Sequence, residues 1–239
     1  MKANLDPLQE AKLSAALVAV KHVKDGFVVG LGSGSTASFA IEALGERAKR
    51  ENLRIMGIPT SYQAFLLAVE CGIPITTLEE HPEVDVTIDG ADQVTPQLYL
   101  IKGMGAALAR EKIVAAASKL NVIIADEQKK VKLLGEKGQG VPVEVLPFAI
   151  SLAKRKIAVV GGKPVLREGK GKLGPTITDN GNAILDSYFG EIANPPELEV
   201  KLKMVPGVVE TGFFVGLTDL VYIGTEAGPV EKIEKSRRK

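Results

Sequence analysis

The sequence predicts an α/β protein: a mostly parallel sheet flanked by helices, with a smaller α+β unit inserted into it. Three observations carry this. Through the first 125 residues, short apolar runs of strand length alternate with longer runs of helical spacing, the pattern of successive βαβ units. Several of those runs are followed by segments rich in Gly, Ser, Asp and Lys, namely "GLGSGSTA", "PTSYQ", "DGADQ" and "ADEQKK", and open α/β sheets bind ligands at the carboxyl ends of their strands. From about residue 135 the texture changes, and Gly- and Lys-rich sequence gives way to strand-like pieces separated by turn residues.

The first helix is expected to start at Asp6-Pro7-Leu8-Gln9, where Asp6 caps, Pro7 suits the first turn and Gln9 stands at the capping-box position. Leu13, Leu17, Val20 and Val23 follow at helical spacing. "FVVG" reads as a buried strand, and "ASFAIEALGERAKR" as a helix with basic residues at its C-terminal end. "LRIMGIP" is the next strand, and "SYQAFLLAVEC" a helix closed by Gly72. "ITTL", "VDVTI" and "NVIIA" read as further strands, with "AALAREKIVAAAS" as a strong helix before the last of them. Beyond 135, "KIAVVGGKPVLREGKGK" and "TDNGNAILDSYF" are expected to supply strands, and a short helix to follow Pro195-Pro196. "VVETGFFVGLTDLVYIGT" returns to apolar, β-rich sequence. The expected organisation is one domain built from 1–135 plus 208–239 and a smaller unit from 136–207.

Composition narrows the function. The 239 residues are 45% hydrophobic, enough for a sizeable core, and carry a net charge of +1, which gives no global field favouring nucleic acid or an anionic membrane. No helix-turn-helix or basic recognition segment points to DNA. The "KSRRK" end reads as a solvated basic terminus. Cys71 is the single cysteine, which fits a reducing compartment. The N-terminal "MKANLDPLQEAK" has no apolar leader core, and no uncharged run approaches membrane-span length. A cytoplasmic protein is therefore the expectation. Two histidines without H-x-x-H, H-E-x-x-H or C-x-x-C spacing argue against a His- or Cys-based metal site, leaving carboxylates as the available ligands for magnesium.

"GLGSGSTA" (30–37) is a glycine-rich strand-to-helix turn. Ser35 stands where a Walker A loop needs lysine. Gly30 and Gly32 match the dinucleotide fingerprint, but its third glycine and the acid after the next strand are missing. Free N–H groups, the hydroxyls of Ser33, Ser35 and Thr36, and a helix N-terminus suit a terminal phosphate monoester. Downstream, Asp89 and Asp92 flank Gly90-Ala91 on a tight turn, three residues apart, so that both carboxylates can face one pocket. Lys102 precedes Gly103-Met104-Gly105, glycines that permit close backbone approach to a ligand. Glu111 is expected about two turns into the next helix, roughly 10 Å along its axis. Locally, Glu111 between Arg110 and Lys112 reads as a surface residue and Lys102 as a solvated cation. Lys129 and Lys130, after another strand, read either as exposed charge or as the closing cation of a phosphate site.

Six segments, "GLGSGSTA", "TIDGADQV", "IKGMGAALAREKI", "IADEQKKVKLLG", "VPVEVLP" and "TDNGNAILD", occur in an order and spacing that resemble the ribose-5-phosphate isomerase type A family, from about residue 8 to about 225. The resemblance implies a Rossmann-like domain with a small α+β, ferredoxin-like lid domain, a homodimer or homotetramer, and neither metal nor organic cofactor. It implies interconversion of ribose 5-phosphate and ribulose 5-phosphate in the pentose phosphate pathway. It assigns phosphate and substrate contacts to Ser33, Gly34, Ser35, Thr36, Gly90, Ala91, Gly103, Met104, Gly105 and Lys129, and the base that moves the proton between C1 and C2 to Glu111. Lys102 and nearby N–H groups would then stabilise the enediolate oxygen, while Asp89 and Asp92 orient hydroxyls and assist ring opening. Two positions depart from the family pattern: Met104 where it often has glycine, and Gln93 where it often has glutamate. A sugar-phosphate-sensing regulator without catalysis, and another sugar-phosphate isomerase or deaminase on a related fold, are the alternatives.

Overall fold

The computed structural model describes residues 5–169, 171, 173–226 and 228–234; the basic terminus at 235–239 lies outside them. In chain order the elements are α1 (Pro7–Ala19), β1 (Val28–Leu31), α2 (Ser35–Glu51), β2 (Met56–Pro59), α3 (Tyr62–Glu70) and β3 (Val86–Gly90). Then come β4 (Gln93–Val94), β5 (Leu100–Ile101), α4 (Leu108–Ala116), β6 (Asn121–Asp126), β7 (Val141–Val145), α5 (Ile150–Val159) and β8 (Lys163–Leu166). The chain ends with β9 (Ala183–Tyr188), α6 (Pro195–Lys203), β10 (Val208–Thr211), β11 (Phe213–Phe214), β12 (Leu220–Gly224) and β13 (Val230–Glu234). Packing divides the described residues into two compact units. The first takes everything up to Ala91, Arg110–Lys130 and the residues from Leu217 on; the second takes Asp92–Ala109 and Val131–Gly216.

Among its described residues the first unit carries a six-stranded sheet in the order β13-β12-β6-β3-β1-β2. All neighbours are parallel except the edge pair β12–β13. This is the expected α/β sheet, and β1, β3 and β6 are buried along their whole length, as strands covered on both faces must be. Helix α1 opens with the expected capping box: the Asp6 carboxylate accepts from the Gln9 N–H at 2.8 Å, and Gln9 Oε1 accepts from the Asp6 N–H at 3.2 Å. Its buried face differs from the leucine spacing. Ala11, Ala15, Ala16 and Ala19 are buried, whereas Leu17 is exposed. The reason is distance, because α1 passes so near β12 that a Cβ on Gly224 would collide with the Ala11 backbone. Only small side chains fit there.

The expected strand "ITTL" is reduced to a single parallel bridge between Ile75 and Gly57. Thr76 Oγ1 donates to Glu80 Oε2 at 2.8 Å and lies 2.8 Å from His81 Nδ1, and such local side-chain bonds favour a turn over a ladder.

The second unit contains a four-stranded antiparallel sheet, β10-β7-β9-β8, again among the described residues. With α5 and α6 it forms β7-α5-β8-β9-α6-β10, the ferredoxin-like arrangement. Its core joins Val141, Val143, Val145, Ala153, Ile157, Leu185, Leu202 and Phe213. The expected strand over "KIAVV" is the end of α5, which buries Ala153 and Ile157. A small three-stranded sheet, β11-β5-β4, places 92–109 in this unit through the pairs Phe213–Ile101 and Phe214–Leu100.

Candidate functional site

In the first unit, β1 has β2 on one side and β3 on the other, so the chain leaves β1 in both directions along the sheet. The crevice at the carboxyl ends of such a pair is where α/β sheets bind ligands. The glycine loop follows β1, and Asp89-Gly90 ends β3. Gly32 makes the closest approach between them: its N–H donates to the Ile88 carbonyl at 3.0 Å, and a Cβ there would collide with the Asp89 carboxylate and backbone. Asp89 is 2% exposed, and its Oδ1 accepts the Ser33 N–H at 3.2 Å and the Gly90 N–H at 2.7 Å. Gly90 sits beside the loop, the position of its absent Cβ lying 3.9 Å from the Ser33 carbonyl oxygen and the Thr36 Cβ. The structure thus brings Ser33, Gly34, Ser35, Thr36, Asp89 and Gly90 together at one edge, with Ala91 next in the chain.

The loop is fastened by residues that sequence reasoning did not single out. Ser33 Oγ donates to Ser61 Oγ at 2.6 Å and lies 2.8 Å from Thr60 Oγ1. The Gly34 N–H donates to Gln63 Oε1 at 2.8 Å, and Gln63 Nε2 donates to Ser38 Oγ at 2.8 Å. These partners belong to "PTSYQ" after β2, whose place at a strand end was the available signal. Lys12, on α1, donates from Nζ to Ser35 Oγ at 3.2 Å and so sets a cation at the start of α2. Nothing local in "LQEAKLSA" marks that lysine.

After β6, the Asp126 side chain accepts the Gln128 N–H at 3.1 Å and caps a single 3-10 turn over Glu127–Lys129. Lys129 is half-buried there. Lys130 is committed elsewhere, to a surface ion pair with Glu231 at 2.6 Å, which separates the two lysines. Glu111 departs from its local reading. It lies in the first turn of α4, since the helix starts only at Leu108, and it is 4% exposed.

In the second unit, Lys102 is 2% exposed, not solvated, and its ammonium lies 5.3 Å from the centre of the Phe214 ring, within cation–π range. Its N–H donates to the Gly212 carbonyl at 2.9 Å. Gly103 takes φ 103°, a region that favours glycine, where a Cβ would meet Leu108. Met104 avoids positive φ; its N–H donates to Asp92 Oδ2 at 3.0 Å, and its side chain is about half exposed. Gln93 is held on both amide atoms: Nε2 donates to the Glu136 carbonyl at 2.7 Å and Oε1 accepts the Gly135 N–H at 2.8 Å. A glutamate could serve only the second of these, so glutamine here braces the 135–136 turn.

Among the described residues, no group of three or more His, Cys, Asp or Glu side chains is placed to hold a metal ion, and no helix is long and apolar enough to cross a membrane.

Residues 56–228 match the family model for ribose 5-phosphate isomerase A (phosphoriboisomerase A). The chain is 48% identical over 226 residues to ribose-5-phosphate isomerase A of Methanosarcina acetivorans, covering 95% of each. It is also 48% identical over 224 residues to that of Methanothermobacter thermautotrophicus, covering 94% of this chain and 98% of the relative. Among solved structures, ribose 5-phosphate isomerase A of Methanocaldococcus jannaschii superposes with a TM-score of 0.91 at 46% identity, covering 95% of this chain and 99% of the other. A D-ribose-5-phosphate isomerase in complex with phospho-erythronic acid superposes with a TM-score of 0.92 at 45% identity and the same coverage.

Proposed function

The chain belongs to the ribose 5-phosphate isomerase A family, and on that premise we propose that it interconverts D-ribose 5-phosphate and D-ribulose 5-phosphate. The observation that carries this reading is the burial of Glu111 and Lys102, at 4% and 2% exposure. Glutamate and lysine are almost never fully buried unless paired, and this reaction needs one base and one cation.

The chemistry moves a proton between C1 and C2 and shifts the carbonyl. Glu111 takes the proton from one carbon and returns it to the other; a positioned base contributes about 10²–10⁴-fold. As the proton leaves, negative charge develops on the neighbouring oxygen. Lys102 and the N–H groups of Gly103 and Gly105 stabilise that oxyanion, most effectively where water is excluded. Asp89 and Asp92 orient sugar hydroxyls and assist opening of the furanose ring. The 5-phosphate binds the loop Ser33–Thr36 at the start of α2 with Lys129, and Lys12 adds a second cation beside Ser35. Holding the phosphate fixes the other end of the sugar, so that C1 and C2 present themselves in one geometry. Gly90, Ala91 and Met104 complete the substrate contacts. The same family resemblance supports a homodimer or homotetramer, which light scattering tests, and the single cysteine fits a reducing, cytoplasmic compartment.

The direct test is purified protein with ribose 5-phosphate and EDTA, followed for ribulose 5-phosphate. Product is expected. Folded protein that forms none overturns the proposal.

A further inference from the structure

Arg167 follows β8 and is built into the second unit at both ends. Its N–H donates to the Ile184 carbonyl at 2.9 Å and its carbonyl accepts the Thr176 N–H at 2.8 Å. Its guanidinium grips Asp186 through two parallel bonds, Nε to Oδ2 at 2.9 Å and Nη2 to Oδ1 at 2.5 Å. Both side chains are largely buried, at 13% and 16% exposure. A two-point grip of this kind fixes the plane of the guanidinium as well as its position. The remaining reach goes to the turn after Lys102: Nη1 donates to the Gly103 carbonyl and to the Met104 carbonyl, each at 3.0 Å.

Two consecutive peptide planes are thereby held. In the Gly103–Met104 peptide, the oxygen is bound by Arg167 and the N–H by Asp92. In the Met104–Gly105 peptide, the oxygen is bound by Arg167. A trans peptide is planar, with its N–H opposite its carbonyl. Fixing the Met104 carbonyl therefore fixes the direction of the Gly105 N–H, which points away from Arg167. Glycine at 103 and 105 leaves this turn more conformations than most sequences would, so its shape depends on such tethers.

We propose that Arg167, braced by Asp186, is a positioning residue for the isomerisation: it locks the Gly103–Met104–Gly105 peptides so that the Gly105 N–H stays aimed as an oxyanion donor. This rests on the isomerase reading above. Arg167 touches no reacting atom; it acts through the backbone that does. In "KPVLREGK" it looks like one more surface cation, because its partners lie far away in sequence, at 103–104 and 186.

The test is steady-state kinetics with ribose 5-phosphate on wild type, Arg167→Met, Arg167→Lys and Asp186→Asn, well below each melting temperature. Arg167→Met should lower kcat about 10²-fold, the scale of a misplacement of about 1 Å at a reacting centre, while KM stays near wild type. Arg167→Lys should recover little, because an ammonium cannot span two carbonyls and a carboxylate at once. Asp186→Asn should fall between. If Arg167→Met fails to fold, the same split of kcat from KM is read on the other two variants. An inactive wild type overturns the isomerase reading and this one with it. An active wild type whose variants keep kcat, or lose it only in proportion to the unfolded fraction, overturns the role of Arg167 alone.

Discussion

Met104 donates its backbone N–H to Asp92 Oδ2 at 3.0 Å, and this bond explains how a side chain is accommodated where the family often has glycine. The contact is made by the backbone, while the side chain runs outward to Gln139, whose Nε2 donates to Sδ at 3.1 Å. Met104→Gly should therefore leave kcat and KM close to wild type. It should cost about 0.4–1 kcal/mol of stability through the freer unfolded chain, read from urea unfolding. A large loss of kcat would mean that the side chain itself shapes the pocket.

Gly32→Ala makes the opposite kind of change. The added Cβ would strike Asp89 at both its carboxylate and its backbone, so neither a rotamer change nor a small shift relieves it. Overpacking of this sort costs about 1–3 kcal/mol, and here it also displaces the acceptor of the Ser33 N–H. A lower Tm together with a lower kcat/KM is expected. Wild-type values for both would show that β1 and β3 separate easily at this edge.

Lys129 and Lys12 are assigned to the phosphate, so their removal should be felt only when a phosphate is present. Lys129→Ala and Lys12→Ala should each raise KM for ribose 5-phosphate and weaken binding of phospho-erythronic acid, more at low salt than at high. Turnover of unphosphorylated ribose, however slow, should not change. Equal effects on both sugars would contradict the assignment.

His22 supplies a pH test away from the site. Its Nε2 lies 2.8 Å from the Tyr222 hydroxyl, and burial, then the charge of Lys232, hold its pKa below the ordinary 6.5. A histidine with a lowered folded-state pKa takes up its proton more readily when unfolded. Its contribution to stability is complete above the unfolded value of 6.5 and declines as pH falls below it. Melting temperatures between pH 7 and 5 should therefore drop more steeply for wild type than for His22→Gln. Parallel curves would remove His22 as the cause.

Much of this was readable because it is local. Apolar strands end in polar, glycine-rich segments, and parallel strands place those ends side by side, so "GLGSGSTA" and "DGADQ" group together from the sequence alone. What escaped was set by distant partners. Residues 92–109 fold with the second unit because β5 pairs with β11, at Ile101 and Phe213, which no local pattern announces. Helix α1 runs close to β12 at Ala11 because residue 224, its neighbour in space, is a glycine. Glu111 and Lys102 looked solvated because their neighbours in sequence are charged or glycine, whereas burial is decided by neighbours in space. Lys12 and Arg167 were hidden for the same reason.

The central claim is that Glu111 moves the proton. The measurement is turnover of ribose 5-phosphate by Glu111→Gln beside wild type, with phospho-erythronic acid affinity measured on both. The change keeps the size of the side chain and removes its basicity. A loss of about 10²–10⁴-fold in kcat is predicted, with affinity largely retained. Wild-type turnover in Glu111→Gln would contradict the account.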